Sequence, residues 1–285
     1  MKKLLQYASL VKFAHTLFAL PFAVIAYFYA LSSAGVAFDW LVLIKILLAM
    51  VFARNTAMGF NRYADRNIDA ANPRTKDREI PAGVISPRRA MAFVIVNGIL
   101  FALTALWINR LAFFLSPVAL LVLIGYSFTK RFTMWSHVVL GVALGIAPVG
   151  AYIAVTGSLA VYPVLLMSLV ITWVSGFDII YSMQDMEFDR ANSLHSIPSR
   201  MGMKGATVMS IILHIISVYA VVVIGIYSGS GTLYKTGAAV FVLMLVIQHV
   251  LAMPGNLPRF GATFGLVNGI TSVCYAIFTI LDFYF

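Results

Sequence analysis

Forty-six consecutive residues, 132–177, contain no Asp, Glu, Lys or Arg. A helix crossing the hydrocarbon core of a bilayer needs about 20 apolar residues. This run therefore holds two crossings, returned through "VTGSLAVYP". Shorter uncharged stretches separate Lys12 from Asp39, Arg89 from Arg110 and Lys204 from Lys235. Read the same way along the chain, they predict nine membrane-spanning helices, near 13–34, 40–62, 88–108, 111–129, 136–156, 161–183, 205–228, 233–253 and 261–282. Apolar runs of this length favour helices over barrel strands, which are short and alternate in polarity. The expected fold class is an all-α integral membrane bundle. Its composition, 61% apolar and 11% charged, excludes an ordinary soluble domain.

The basic residues set the expected orientation. With the amino terminus inside, the tail and the inner connections hold sixteen Lys or Arg, against two, Arg110 and Lys235, on the other side. That bias predicts an N-terminus in the cytoplasm and a place in the inner membrane. It also accounts for the net charge of +10 without a nucleic-acid partner, anionic lipid being the natural neighbour. The first apolar stretch is too long for a signal-peptide core and is read as a retained helix. A single cysteine, Cys274, excludes an intrachain disulfide framework and is assigned to packing.

Charge is gathered instead in "NRYADRNIDAANPRTKDREIPAG", 61–83, where Asn61, Asp65 and Asp69 are spaced by fours. A second stretch, "YSMQDMEFDRANSLHSIPSRMG", repeats the pattern with Tyr181, Asp185 and Asp189. At an offset of 120 residues, Asp65, Asp69, Ala71 and Asn72 correspond to Asp185, Asp189, Ala191 and Asn192, and "IPAG" is echoed by "IPSRMG". The match reads as an internal four-helix repeat. It divides one membrane domain, 1–285, into halves of about 1–135 and 136–260 followed by a ninth helix, 261–285. Parallel repeats commonly place a functional site between the halves, and here that predicts a cavity open to the cytoplasm.

Residues four apart on a helix share a face, so each triplet forms a polar stripe. Carboxylates near apolar surroundings are costly unless partnered. Salt bridges to Arg62, Arg66 and Arg190 at a solvated helix end are one way to satisfy them. A hard cation is the other. All-oxygen ligands suit Mg²⁺, which takes one or two carboxylates and fills its shell with water and phosphate oxygens. Two acidic rows holding Mg²⁺ would bind a diphosphate, with "RTKDRE", "SRMGMK" and "YSFTKR" supplying cations for the remaining charge. Such a site favours loss of diphosphate from an allylic carbon. An aromatic, water-poor bundle shields the carbocation that results.

These motifs resemble the UbiA superfamily of membrane aromatic prenyltransferases. The first is similar to that family's Asn-x-x-x-Asp-x-x-x-Asp followed by Arg-Thr-x-x-Arg-x-Leu/Ile-Pro-x-Gly. The second is similar to its Tyr-x-x-x-Asp-x-x-x-Asp, and "YSFTKRFT" to its Tyr-x-x-x-Lys loop. "HSIPSR" looks most like bacterial 4-hydroxybenzoate polyprenyltransferases and their menaquinone-pathway relatives. The resemblance implies Mg²⁺-dependent transfer of a polyprenyl group from a prenyl diphosphate to an aromatic acceptor. It implies that Asp65, Asp69, Asp185 and Asp189 hold Mg²⁺ and diphosphate, with Asn61 assisting the first pair. Arg78 and Lys130 would contact diphosphate with Tyr126 beside them. Arg54 would be a polar anchor near the aromatic acceptor, for a carboxylate. Many relatives begin the first motif Asn-Asp, whereas this chain has Asn61-Arg62, which places Arg62 outside the site.

Three further residues are candidates: Arg200 as a basic contact, and Asp178 and Tyr181 on the acceptor side, one helical step apart. Glu187 and Arg190 fall off the aspartate stripe and are read as solvated. His15, His137, His214 and His249 lack ligand spacing and are read as packing residues, as is His195 in the loop after the second motif. "YSGSGTLY" has no Walker lysine and reads as an outer turn. A secondary transporter is the competing class, since parallel repeats and membrane charges occur there too; the one-sided aspartates argue against it. A CDP-alcohol phosphotransferase would show an Asp-Gly-rich signature that is not evident.

Overall fold

The structure is a computed structural model that describes Tyr7, Leu10, residues 18–252 and residues 257–285, with 257–262 and 264 described by backbone alone. Lys2, Lys3, Lys12 and residues 13–17 of the predicted first span lie outside the described residues. The helices are α1 (Leu20–Ala34), α2 (Trp40–Ala64), α3 (Arg66–Ala71), α4 (Pro87–Ile108), α5 (Arg110–Thr129) and α6 (Ser136–Thr156). They continue with α7 (Val161–Ser182), a 3₁₀ turn at Met183–Asp185, α8 (Met186–Ala191), α9 (Ile197–Ser228), α10 (Thr232–Leu251) and α11 (Leu257–Asp282). Among the described residues there is no β-strand.

Among the described residues eight helices are long and apolar enough to cross a bilayer; nine are expected, and part of the first expected span lies outside the described residues. The described part of that first span is α1, an apolar helix of 15 residues. The prolines inside α5 and α6, Pro117 and Pro148, are tolerated because membrane helices re-satisfy the freed backbone groups locally.

The chain divides into two compact units. One contains Trp40–Thr129 with Tyr7 and Leu10; the other contains the described residues of Leu17–Asp39 and Lys130–Phe285. In the first, α2 packs on α4 and α5. Asn55 Nδ2 donates to Asn97 Oδ1 at 2.9 Å, tying α2 to α4 through a polar contact away from water. Leu10, Ile80, Ile85 and Ala90 form a small core under the loop after α3, with Tyr63 and Phe93 against it.

In the second unit α7 is the central helix. Its apolar residues run all the way round, and Tyr162, Leu166, Leu169, Val170 and Trp173 are fully buried. It packs on α6 and α9, while α1 packs on α6 and α11, and α10 on α11. α1 thus belongs by packing to the second unit, although α2 after it belongs to the first. Asp282, at the end of α11, accepts the Gly231 and Tyr234 N–H groups at 2.7 and 3.1 Å, satisfying donors that the start of α10 would leave orphaned. Apolar residues such as Phe114, Leu121 and Ile226 are 71–77% exposed, the arrangement that lipid rather than water demands.

One close approach sets the geometry of the second unit. A Cβ on Gly141 of α6 would lie 2.5 Å from the Ile171 carbonyl oxygen and 2.8 Å from Ser175 Oγ on α7. Gly141→Ala is therefore expected to force α6 off α7, at a cost of about 1–3 kcal/mol for overpacking. A lowered thermal unfolding midpoint of the purified protein in detergent is the measurement; an unchanged midpoint would show that the contact relaxes freely.

Candidate active site

In the first unit, α2 stops at Ala64 and α3 starts at Arg66. Between them Asp65 has φ −92° and ψ 7°, in the sparsely populated bridge region where many active-site residues sit. The i to i−4 bonds nonetheless run through the break, from Asp65 N–H to Asn61 O at 2.9 Å and from Asp69 N–H to Asp65 O at 2.7 Å. The predicted stripe is therefore preserved across two helices. Asn61 Nδ2 donates to Asp65 Oδ2 at 3.2 Å, and both aspartates are at most 4% exposed.

The loop after α3 is shaped to return a cation to Asp69. Asn72 Oδ1 accepts the Arg74 N–H at 2.9 Å, and the Asn72 carbonyl accepts the N–H groups of Thr75 and Lys76. Thr75 Oγ1 then donates to the Asp69 carbonyl at 3.0 Å. That turn brings Arg78 Nη1 to Asp69 Oδ1 at 2.6 Å. Asp69 Oδ2 is buried and has no hydrogen-bond partner among the described residues, an arrangement that costs stability unless something else binds there. Arg54 stands on α2 two turns before Asn61, and Tyr126 in the last turn of α5; both are half-buried. Arg62, placed outside the site by sequence, is buried and donates from Nε to the Leu10 carbonyl at 3.4 Å. Arg66 donates to the Tyr63 carbonyl at 2.8 Å and lies over the Tyr63 ring.

The second unit treats its pair in the same way. A 3₁₀ turn ends α7, Asp185 takes φ −101° and ψ 3°, and the six-residue α8 follows. Asp189 is buried, and Ser196 Oγ donates to its Oδ2 at 2.8 Å. Lys130 attracts Asp189 electrostatically, and Asp185 repels it. The Lys130 carbonyl accepts the His195 N–H at 2.7 Å, fastening the loop after α8. Asp178 and Tyr181 lie half-buried on α7, and Asp178 Oδ2 meets His137 Nδ1 at 2.7 Å. Among the described residues Arg200 pairs with His195, at 3.0 Å, and not with a carboxylate. Glu187 and Arg190 are exposed, as expected.

Sequence reasoning missed three residues. Ser196 caps α9 in a reciprocal box with Ser199, and its polar pattern before an apolar run was a legible signal. Gly202 breaks α9 at φ +71°, a conformation that strains any residue with a Cβ; Arg190 Nε takes up the Ser199 carbonyl at 2.9 Å just before the break. His137 had no signal at all. Among the described residues no three His, Cys, Asp or Glu side chains are grouped to hold a metal ion by themselves.

The sequence pattern of the UbiA prenyltransferase family matches residues 19–273. The chain belongs to that family. A 4-hydroxybenzoate octaprenyltransferase from Aliivibrio fischeri (strain MJ11) is 32% identical over 174 residues, 61% of each chain. Another so named, from Thiobacillus denitrificans, is 35% identical over 151 residues, 53% of this chain and 52% of that protein. The matches thus span about half to three fifths of these curated relatives. The apo structure of a UbiA homolog from Aeropyrum pernix K1 superposes with a TM-score of 0.84 at 31% identity, covering 94% of this chain and 98% of that one. A UbiA homolog from Archaeoglobus fulgidus bound to GPP and Mg²⁺ shares the fold, with a TM-score of 0.75 at 19% identity, covering 97% and 99%. With eight helices among the described residues fit to cross a bilayer, this UbiA-family chain is an integral membrane protein.

Proposed function

We propose that this protein transfers a polyprenyl group from a prenyl diphosphate to a ring carbon of an aromatic acceptor of the 4-hydroxybenzoate class, releasing diphosphate. The reaction is placed at the cytoplasmic face of the inner membrane, with the amino terminus inside. The observation that carries the reading is the shared build of the two aspartate segments. Each turns its backbone at the first aspartate, through Asp65 or Asp185, and each returns a loop donor, Arg78 or Ser196, onto the second. That likeness supports an internal repeat within one domain and a common task for both pairs. The names of the curated relatives support the acceptor class. The A. fulgidus homolog was seen with GPP and Mg²⁺.

The residues present fit Mg²⁺. The donor set is all oxygen, and Asp69 offers a buried carboxylate oxygen with no hydrogen-bond partner among the described residues. Asp65, Asp69, Asp185 and Asp189 would hold the ion together with the substrate's phosphate oxygens. When bound, Mg²⁺ supplies charge neutralisation and Lewis-acid polarisation of the leaving diphosphate. Arg78 and Lys130 meet the charge that remains, with Tyr126 beside them, and Asn61 holds Asp65 in place. Arg54 anchors the acceptor's carboxylate, Asp178 and Tyr181 stand on the acceptor side, and Arg200 is a further basic contact from the α9 entry.

The test is to incubate purified protein in detergent, without any membrane gradient, with Mg²⁺, a series of prenyl diphosphates and a panel of aromatic acids. The expected result is a product heavier than its acceptor by one prenyl group less one hydrogen, formed with Mg²⁺ and lost on chelation. Failure with every acceptor, alongside gradient-driven solute uptake in vesicles, would establish a transporter instead.

A further inference from the structure

We propose that His137 is the positioning residue of Asp178, holding that carboxylate in the orientation that takes up the proton released in ring substitution. The inference rests on the prenyl-transfer reading above and adds a residue that the motifs do not contain.

The geometry lies wholly within the second unit. His137 is in the first turn of α6 and is 3% exposed. Its Nδ1 is 2.7 Å from Asp178 Oδ2 on α7. Its Nε2 faces the Ile197 N–H, the first residue of α9, at 3.4 Å. A backbone N–H can only donate, so Nε2 is the acceptor. The proton of the neutral ring therefore sits on Nδ1 and is donated to Asp178. One backbone amide thus selects the tautomer that orients the carboxylate. The ring itself is fixed by its backbone, since Ser175 Oγ on α7 donates to the His137 carbonyl at 3.2 Å.

Asp178 is not merely a buried partner for the histidine. Its side chain is 21% exposed, against 4% for His137, so the carboxylate has an open side. It precedes Tyr181 by three residues, a spacing that shares one helix face, and stands on α7 ahead of the turn that carries Asp185. The Ser196–Ile197 junction joins the dyad to the diphosphate side, because Ser196 binds Asp189 while Ile197 binds His137. Asp178, His137, the α9 start and Asp189 are consecutive links of one network.

The chemistry balances. The C–O bond of the prenyl donor breaks, with its electron pair leaving on diphosphate. A π pair of the acceptor ring forms the new C–C bond. The proton on the substituted carbon passes to the free oxygen of Asp178, and the C–H pair restores aromaticity. A carboxylate held at one oxygen by an N–H keeps its other oxygen available to accept the proton.

Two substitutions separate this role from a structural one. An Asn amide overlays the Nδ1 side of the histidine ring and a Gln amide the Nε2 side. His137→Asn keeps a donor for Asp178 and loses the Ile197 contact; His137→Gln keeps an acceptor for Ile197 and loses the donor. With ring-deuterated 4-hydroxybenzoate as acceptor, His137→Gln is expected to lower kcat by about 10–100-fold with little change in KM for the prenyl diphosphate. It should also expose a primary deuterium isotope effect, because proton loss becomes slow. His137→Asn is expected to restore most of kcat and to suppress that effect, and Asp178→Asn to reproduce the Gln phenotype while leaving His137 in place. Equal loss in the Asn and Gln variants without an isotope effect would reduce His137 to a packing residue, as would wild-type behaviour of His137→Gln. If either histidine variant fails to fold, the isotope effect in Asp178→Asn decides, and its absence overturns the proposal. No product from the wild-type protein with any acceptor would strike the underlying reaction instead.

Discussion

Asp65→Asn and Asp185→Asn are each expected to lower turnover by about 10³-fold or more while the protein still folds. Each change removes one negative charge from a set whose task is to hold a divalent cation against a diphosphate. Stabilisation of the leaving group is lost at the moment charge develops on it. Folding should survive because Asn is nearly isosteric with Asp and keeps an acceptor oxygen for the Asn61 amide that now donates to Asp65. Asp185 is only half-buried and sits at a helix break, where a neutral amide is tolerated. The measurement is product formation under saturating Mg²⁺ and donor, with a thermal melt of each variant. Near-normal turnover in either would contradict the metal role, and loss of the cooperative melt would show that the carboxylate is structural.

Arg78→Ala is expected to damage both activity and stability, in contrast with the aspartate variants. Arg78 contacts Asp69 Oδ1 at 2.6 Å, and the carboxylate is 6% exposed while the guanidinium is 22% exposed. Removing one partner of a buried pair leaves an uncompensated charge, typically at about 3–5 kcal/mol; the partial exposure of Arg78 places the effect at the lower end. Turnover should fall about 100-fold or more, with a raised KM for the prenyl diphosphate, because the same cation is assigned to the diphosphate. Arg78→Lys should recover the stability in large part and the activity only in small part, since an ammonium replaces the charge but not the planar fork. Full activity in Arg78→Lys would show that charge alone is required there. Excess Mg²⁺ should not rescue Arg78→Ala.

The sequence carried the fold class and the acidic pairs, and the reasons are local. Span length is a count of consecutive apolar residues, and the alignment of Asn61, Asp65 and Asp69 is a property of helical spacing. The i to i−4 bonds preserve it even where the backbone turns at Asp65. The membrane ends of α4, α5 and α6 fall within two residues of their predicted limits for the same reason. Even the Arg78 contact was half legible, because the Arg-Thr-x-x-Arg run sits within one loop of Asp69.

Other features had no periodic signature. The backbone turn at each first aspartate, the Gly202 break inside α9 and the near contact of Gly141 with α7 are torsions and approaches that residue types permit but do not announce. His137 reads as an ordinary apolar-helix histidine until Asp178, 41 residues away, and Ile197, 60 away, are seen against its two nitrogens.

What the residues determined unaided is therefore the membrane class, most of the long helices and the placing of two carboxylate pairs at helix ends. What only the tertiary structure decided is which side chain restrains each carboxylate: Arg78 on Asp69, Ser196 on Asp189 and His137 on Asp178. Helix formation and span length follow from neighbours along the chain. A hydrogen bond between groups on different elements depends on turn torsions and interhelical distance, which are settled only when the elements pack.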